Sequence, residues 1–267
     1  MRVVDRRVEA ALATYDEECR WELIGGAVDE CPDDVLEASV ELLVSPVARK
    51  RRLGADLLGR LVGGDVGARP AAGRALLDAI HRETDPDALA AILSALGHMA
   101  DPAVLNCVVP FAQHCDAAVR LAVAFAIATI APNPLPVHAL QAMIMLSNDD
   151  DPEVRDWATF GLGTLTSDDG PEVREALLAR AEDPYREARA EALFGLAVRR
   201  DPRAVPHLIR ALESPGVGWL EVDAAAAAGD PRLLPPLLAL KATGRADEGR
   251  VTRAIDRCSG RDRPAQA

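Results

Sequence analysis

Three groups of residues in this 267-residue chain have types and spacing that could do chemistry. His98, Cys107, His114 and Cys115 offer imidazole and thiolate groups of the kind that hold zinc. None of the five cysteines (19, 31, 107, 115 and 258) stands in a C-x-x-C pair, however, so a helix end and reduced core thiols are the simpler reading. The carboxylates of "SNDDDPEV" (147–154) and "TSDDGPEV" (166–173) suggest calcium, but neither has the alternation or closing Glu of an EF-hand loop. Both precede expected helices, where carboxylates cap free N–H groups at the positive end of the dipole. "GLGTLT" (161–166) begins like a phosphate-cradling loop, yet Thr166 stands at the third glycine and no strand precedes it. The signatures G-x-x-x-x-G-K-[ST], H-E-x-x-H and G-x-S-x-G are absent from the sequence. No catalytic residue, metal or cofactor is expected.

The elements that must carry these residues are helices. In "DPEVRDWATFGLGTL" (151–165), Val154, Trp157, Ala158, Gly161, Leu162 and Leu165 form one apolar stripe at helical spacing. Trp157 is therefore expected in the core. Asp151 and Pro152 look like a cap and first helical residue, and Glu153, Arg155, Asp156 and Thr159 occupy the opposite face. Similar phrases begin at Asp85, Asp116 and Asp183, and degenerate copies start near 16, 45 and 215. Each reads as a capped helix rich in small residues, a short turn and a second Leu/Val/Ile-rich helix. With aromatics at only 3 %, a β-sandwich or barrel is disfavoured. The expected fold is all-α: an α-solenoid of about seven stacked helix pairs in one domain over 1–258. The last helix, "DEGRVTRAIDRCS", would close it, and 259–267 would form a flexible tail.

A single helix pair cannot bury both its stripes, whereas stacked pairs bury them in one continuous core. Gly161, Gly195, Ala158 and Ala192 would let first helices approach closely. An arginine recurs in the first helix, as Arg20, Arg51, Arg120, Arg155 and Arg189. It is expected to form a ladder with the carboxylate or loop carbonyls of an adjacent unit.

The net charge of −12 argues against nucleic acid, which requires a basic face. Residues 1–45 sum to −8 and 84–183 to −11, while 46–83 carry +4. Such blocks suit a basic protein partner. The N-terminus has no apolar signal core and no stretch reaches membrane-span length, so a cytoplasmic monomer with no membrane contact is expected.

The pattern D-P-x-V-R-x-x-A-x-x-x-L-G-x-L, followed by V-x-x-L-L-x-A-L, resembles the short HEAT-like repeat of the phycobilin-lyase type over most of the chain. From "AVRLAVAFAIATI" through "VRDWATFGLGTL" to "GDPRLLPPLLAL", it is similar to bacterial HEAT-repeat proteins encoded beside Rhs toxins and regarded as immunity proteins. That resemblance implies a non-catalytic scaffold that binds a toxin domain or adaptor client. The alternative it leaves open is a solenoid enzyme or chromophore-handling protein. HEAT-repeat iron hydroxylases carry His-Glu dyads, and none of the five histidines here is followed by Glu.

Solenoids of this kind usually bind along the row of second helices. The candidate partner-binding face is Asn106, His138, Gln141, Arg174, Glu175, Leu178, His207 and Arg210. Asp151, Arg155, Trp157, Arg120 and Arg189 are assigned structural roles.

Overall fold

Capping by aspartate sets where the helices start. In the computed structural model, which describes residues 3–65 and 67–261, Asp16, Asp85, Asp116, Asp151 and Asp247 each accept a hydrogen bond from an N–H in the first turn that follows. Each such cap is worth about 1 kcal/mol. Pro86, Pro152 and Pro171 occupy first helical positions, where no N–H is needed. The tail expected at 259–267 lies, from 262 onward, outside the described residues.

Contacts divide the chain into two compact units, Met1–Pro132 with Pro136–Ala142, and Asn133–Leu135 with Met143–Ala267. The first unit contains α1 (Val3–Ala13), α2 (Glu17–Glu30), α3 (Pro32–Leu43), α4 (Ala48–Gly64), α5 (Arg69–Ile80) and α6 (Pro86–His98). The short α7 (Leu105–Val108) lies between 3-10 turns, and α8 (Ala117–Ile130) follows. The unit boundary falls within α9 (Val137–Leu146). First helices stack, α4 on α6 and α6 on α8, and α1 packs beside α2. Leu57, Leu61, Leu93, Leu96 and Ile127 are fully buried between them, at about 25 cal/mol per Å² of apolar surface.

The second unit repeats the plan. It contains α10 (Pro152–Phe160), continued by a π turn over Gly161–Leu165, then α11 (Pro171–Arg180), α12 (Arg186–Val198) and α13 (Ala204–Glu213). It ends with α14 (Trp219–Ala228), α15 (Leu234–Thr243) and α16 (Glu248–Cys258). The first helices α10, α12, α14 and α16 pack in succession, and α11, α13 and α15 return against them. Val154, Leu177, Leu193, Leu196, Leu208, Val222, Leu237 and Val251 fill the interior. The fold is all-α and built from solenoid helix pairs, with no strand among the described residues.

Three local features depart from the sequence expectation. The wider π turn shifts the stripe beyond Gly161. Leu162 is buried but Leu165 is exposed, and Trp157 is only half-buried, its ring meeting Phe160 edge-on at 5.8 Å. Secondly, Gly163 provides the close approach to Gly195: a Cβ on Gly195 would lie 2.6 Å from the Gly163 Cα. Thirdly, the aspartates at 166–173 do not cap α11, whose N-cap is Gly170. Asp168 instead accepts the Leu135 N–H at 2.8 Å and the Thr166 hydroxyl, and Asp169 pairs with Arg174.

Candidate functional site

A polar ladder holds the loops that lead into the first helices. Two residues before the helix N-cap stand Thr14, Ser45, Glu83, His114, Asp149 and Asp183. Each side chain accepts the backbone N–H two residues on, at 2.9–3.2 Å. From the first turn of the following helix, Arg51, Arg120, Arg155 and Arg189 send Nη1 back to the carbonyl six residues earlier, that of Ser45, His114, Asp149 and Asp183 respectively. Arg51 and Arg155 also grip the ladder carboxylate of the next unit. Arg51 holds Glu83 through Nε and Nη2, both at 2.7 Å, and Arg155 holds Asp183 at 2.8 and 3.0 Å. The carbonyls thus belong to the arginine's own loop and the carboxylate to its neighbour's. Arg20 differs, pairing with Glu17 and Asp56.

A second structural arginine carried no sequence signal. Arg199, placed by the turn after α12, donates to the carbonyls of Leu162, Gly163, Gly195, Thr166 and Asp168 at 2.8–3.0 Å. It satisfies the acceptors that the π turn and the end of α12 leave unpaired.

The candidate face on the second helices is well supplied with charge, but in the second unit that charge is matched internally. Arg174 reaches Asp169 at 2.8 Å, Asp201 at 3.4 Å and the Arg199 carbonyl at 3.0 Å. Glu175 pairs with Arg203 at 2.5 Å, and Arg210 with Glu182 at 2.5 Å. His207 is half-buried beside that pair, its Nδ1 2.9 Å from Arg210 Nη2, and Leu178 is half-buried. Asp201 is held down to about 2, chiefly by the Arg203 hydrogen bonds. In the first unit, Asn106, His138 and Gln141 are exposed.

The opposite situation holds on the first helices α10 and α12. Glu153, Asp156, Glu187 and Glu191 have no basic partner among the described residues. Burial pushes the Asp156 carboxyl up to about 6, with Glu187 and Glu153 adding repulsion. Glu191 is pushed up to about 7, again chiefly by burial; the Thr164 hydroxyl, donating at 3.0 Å, only partly offsets this, and Asp156 adds to it. This is an acidic patch with no basic partner among the described residues. Sequence reasoning placed Glu153 and Asp156 on a solvated face and passed over Glu187 and Glu191. The available signal was an i,i+4 pair of like charge with no arginine or lysine at helical spacing between the two helices.

Of the groups considered for metal chemistry, the two histidines are engaged, while Cys107 is half-buried and Cys115 exposed, neither of them the core thiol expected. The His98 ring meets Phe125 at 5.0 Å, and His114 Nδ1 accepts the Asp116 N–H. No three of His, Cys, Asp and Glu gather as a metal-holding group among the described residues. Nor is any described helix long and apolar enough to cross a membrane.

The capped helix pairs with this ladder coincide with known repeat families. The HEAT-repeat family matches residues 73–163, and the PBS-lyase HEAT-like repeat matches residues 188–214. Those two stretches match HEAT-like repeats. Protein YibA of Escherichia coli, in strains K12 and O157:H7, is 33 % identical over 119 residues, or 45 % of this chain. That match spans 41 % of YibA's own length. The X-ray structure of E. coli YibA superposes with a TM-score of 0.75 at 23 % identity, covering 96 % of this chain and 92 % of that one. An engineered protein shares the fold at a TM-score of 0.61 and 19 % identity, covering 96 % and 77 % of the two chains. So does Kap121p, solved bound to RanGTP, at a TM-score of 0.58 and 15 % identity, covering 95 % and 32 %.

Proposed function

We propose that the protein is a non-catalytic binding scaffold that receives a basic protein on the acidic patch of α10 and α12. The observation that carries this reading is the gathering of Asp156 and Glu191 with Glu153 and Glu187, with no basic partner among the described residues, where burial and mutual repulsion raise the Asp156 and Glu191 pKa values. A lysine or arginine from a partner would neutralise the patch and lower both values. Long-range attraction from a net charge of −12 would speed the encounter. The repeat architecture supports the reading, because stacked helix pairs offer broad surfaces. The resemblance to immunity-type repeat proteins gives the partner a class, a toxin domain or an adaptor client, met in the cytoplasm by a monomer.

The test is affinity capture with the purified protein in graded salt, followed by identification of what is retained. A stoichiometric basic partner released at high salt supports the proposal. An acidic partner, or retention insensitive to salt, overturns it.

A further inference from the structure

In the second unit the ladder changes after α12. Arg189 sends Nη1 to the Asp183 carbonyl, as Arg155 does to that of Asp149. In its sister units the same arginine uses Nε and Nη2 to grip a carboxylate two residues before the next N-cap, Glu83 for Arg51 and Asp183 for Arg155. Arg189's next N-cap is Gly218, and the residue two before it is Gly216, which has no side chain to offer. Among the described residues no carboxylate pairs with Arg189. The other duty of the ladder residue, accepting the N-cap N–H, has passed to Glu221, whose Oε2 takes the Gly218 N–H at 3.0 Å.

The space where that carboxylate would stand is a cavity of about 380 Å³. Arg186, Arg189, Arg210 and His207 line it, against only Glu182 and Glu221. Glu182 is taken by Arg210, and Glu221 lies 3.7 Å from Arg186 while holding the N-cap. One arginine more than the available carboxylates faces the cavity, in a protein that is acidic elsewhere.

We infer that this cavity binds a carboxylate-bearing ligand, whose oxygens take the Nε and Nη2 of Arg189 as Glu83 and Asp183 take those of Arg51 and Arg155. Arg186 supplies the second cation. The planar guanidinium fork favours bidentate carboxylate, which is the geometry the sister positions display. The carboxylate comes either from a free small acid or from an acidic side chain of a peptide. The inference goes beyond the basic-partner reading and does not depend on it.

The experiment is calorimetric titration of the full chain with succinate, with a short Asp/Glu peptide and with inorganic phosphate, repeated on two variants. Gly216→Asp restores the missing carboxylate from within. A Cβ there meets nothing within 4 Å, so the side chain has room. It is expected to raise the thermal midpoint of the unliganded protein and to weaken carboxylate binding at least tenfold. Arg189→Gln is expected to abolish binding. Tighter binding of succinate identifies a small acid, and tighter binding of the peptide identifies a side chain. Equal carboxylate affinity in the wild type and Gly216→Asp overturns the assignment. So does phosphate binding more tightly than either carboxylate, or no carboxylate binding by the wild type.

Discussion

Arg155 holds Asp183 with two parallel hydrogen bonds, Nε to Oδ2 at 2.8 Å and Nη2 to Oδ1 at 3.0 Å, across 28 residues of sequence. The Asp183 side chain is almost wholly buried and also accepts the Tyr185 N–H, so one carboxylate ties two repeat units and a helix start together. Removing one partner leaves the other charge buried and unpaired. Asp183→Ala is therefore expected to cost about 3 kcal/mol, read as a lower urea midpoint with an unchanged slope. Burial pushes the Asp183 carboxyl up, but the Arg155 bonds outweigh it and hold it below the usual carboxylate range. The contribution is thus complete at neutral pH and is lost only as pH falls through that lowered value.

Gly195 meets Gly163 backbone to backbone, with a Cβ at 195 predicted to sit 2.6 Å from the Gly163 Cα and 2.9 Å separating a Gly163 Cβ from the Glu191 carbonyl. Backbone cannot yield as a flexible side chain can. Gly195→Ala should destabilise by about 1–3 kcal/mol despite its better helix propensity, and a thermal melt will show the sign.

Arg199 satisfies five carbonyls with one guanidinium. Arg199→Leu strands several partly buried acceptors and should lower stability by about 2–3 kcal/mol. Arg199→Lys should recover little of it, because an ammonium cannot span the same fork of acceptors. Chemical denaturation of the two variants side by side checks both statements.

The acidic patch gives stability an unusual dependence on pH. Asp156 at about 6 and Glu191 at about 7 lie above their unfolded values, so between those values and the ordinary carboxylate range the folded chain holds more protons than the unfolded one. Their contribution therefore falls as pH rises from about 4 to about 7. His98, whose pKa burial lowers, acts in the opposite sense as pH falls below about 6.5. The Asp156→Asn, Glu191→Gln double variant separates the two. Its thermal midpoint should exceed the wild type's at pH 8 by a few degrees and converge with it near pH 5.

Much of this architecture was legible in the residues. Asp85, Asp116 and Asp151 announce helix starts because a short carboxylate before an apolar-periodic run has one common structural use, and Arg155 four residues later marks the ladder. The acceptors of that arginine were less legible, since Asp183 becomes its neighbour only once the repeats stack. For the same reason the pairs Glu175–Arg203 and Glu182–Arg210, each linking residues 28 apart, could not be read as matched charge, and the second-helix face looked freer than it is. The π turn at Gly161–Leu165 moved Leu165 out of the stripe that strict helical spacing assigns it. Arg199 lies outside any periodic pattern, because its role depends on where the carbonyls of an adjacent helix end.

The central claim is that binding resides in the unpaired carboxylates of α10 and α12. The most direct measurement is partner retention by two charge variants in one low-salt capture: Glu153→Gln, Asp156→Asn, Glu187→Gln, Glu191→Gln, and Arg174→Glu, Arg210→Glu. The account predicts that the first loses the basic partner while the second, altered where charges are already matched, retains it. Retention by the carboxylate variant at the wild-type level would contradict the account.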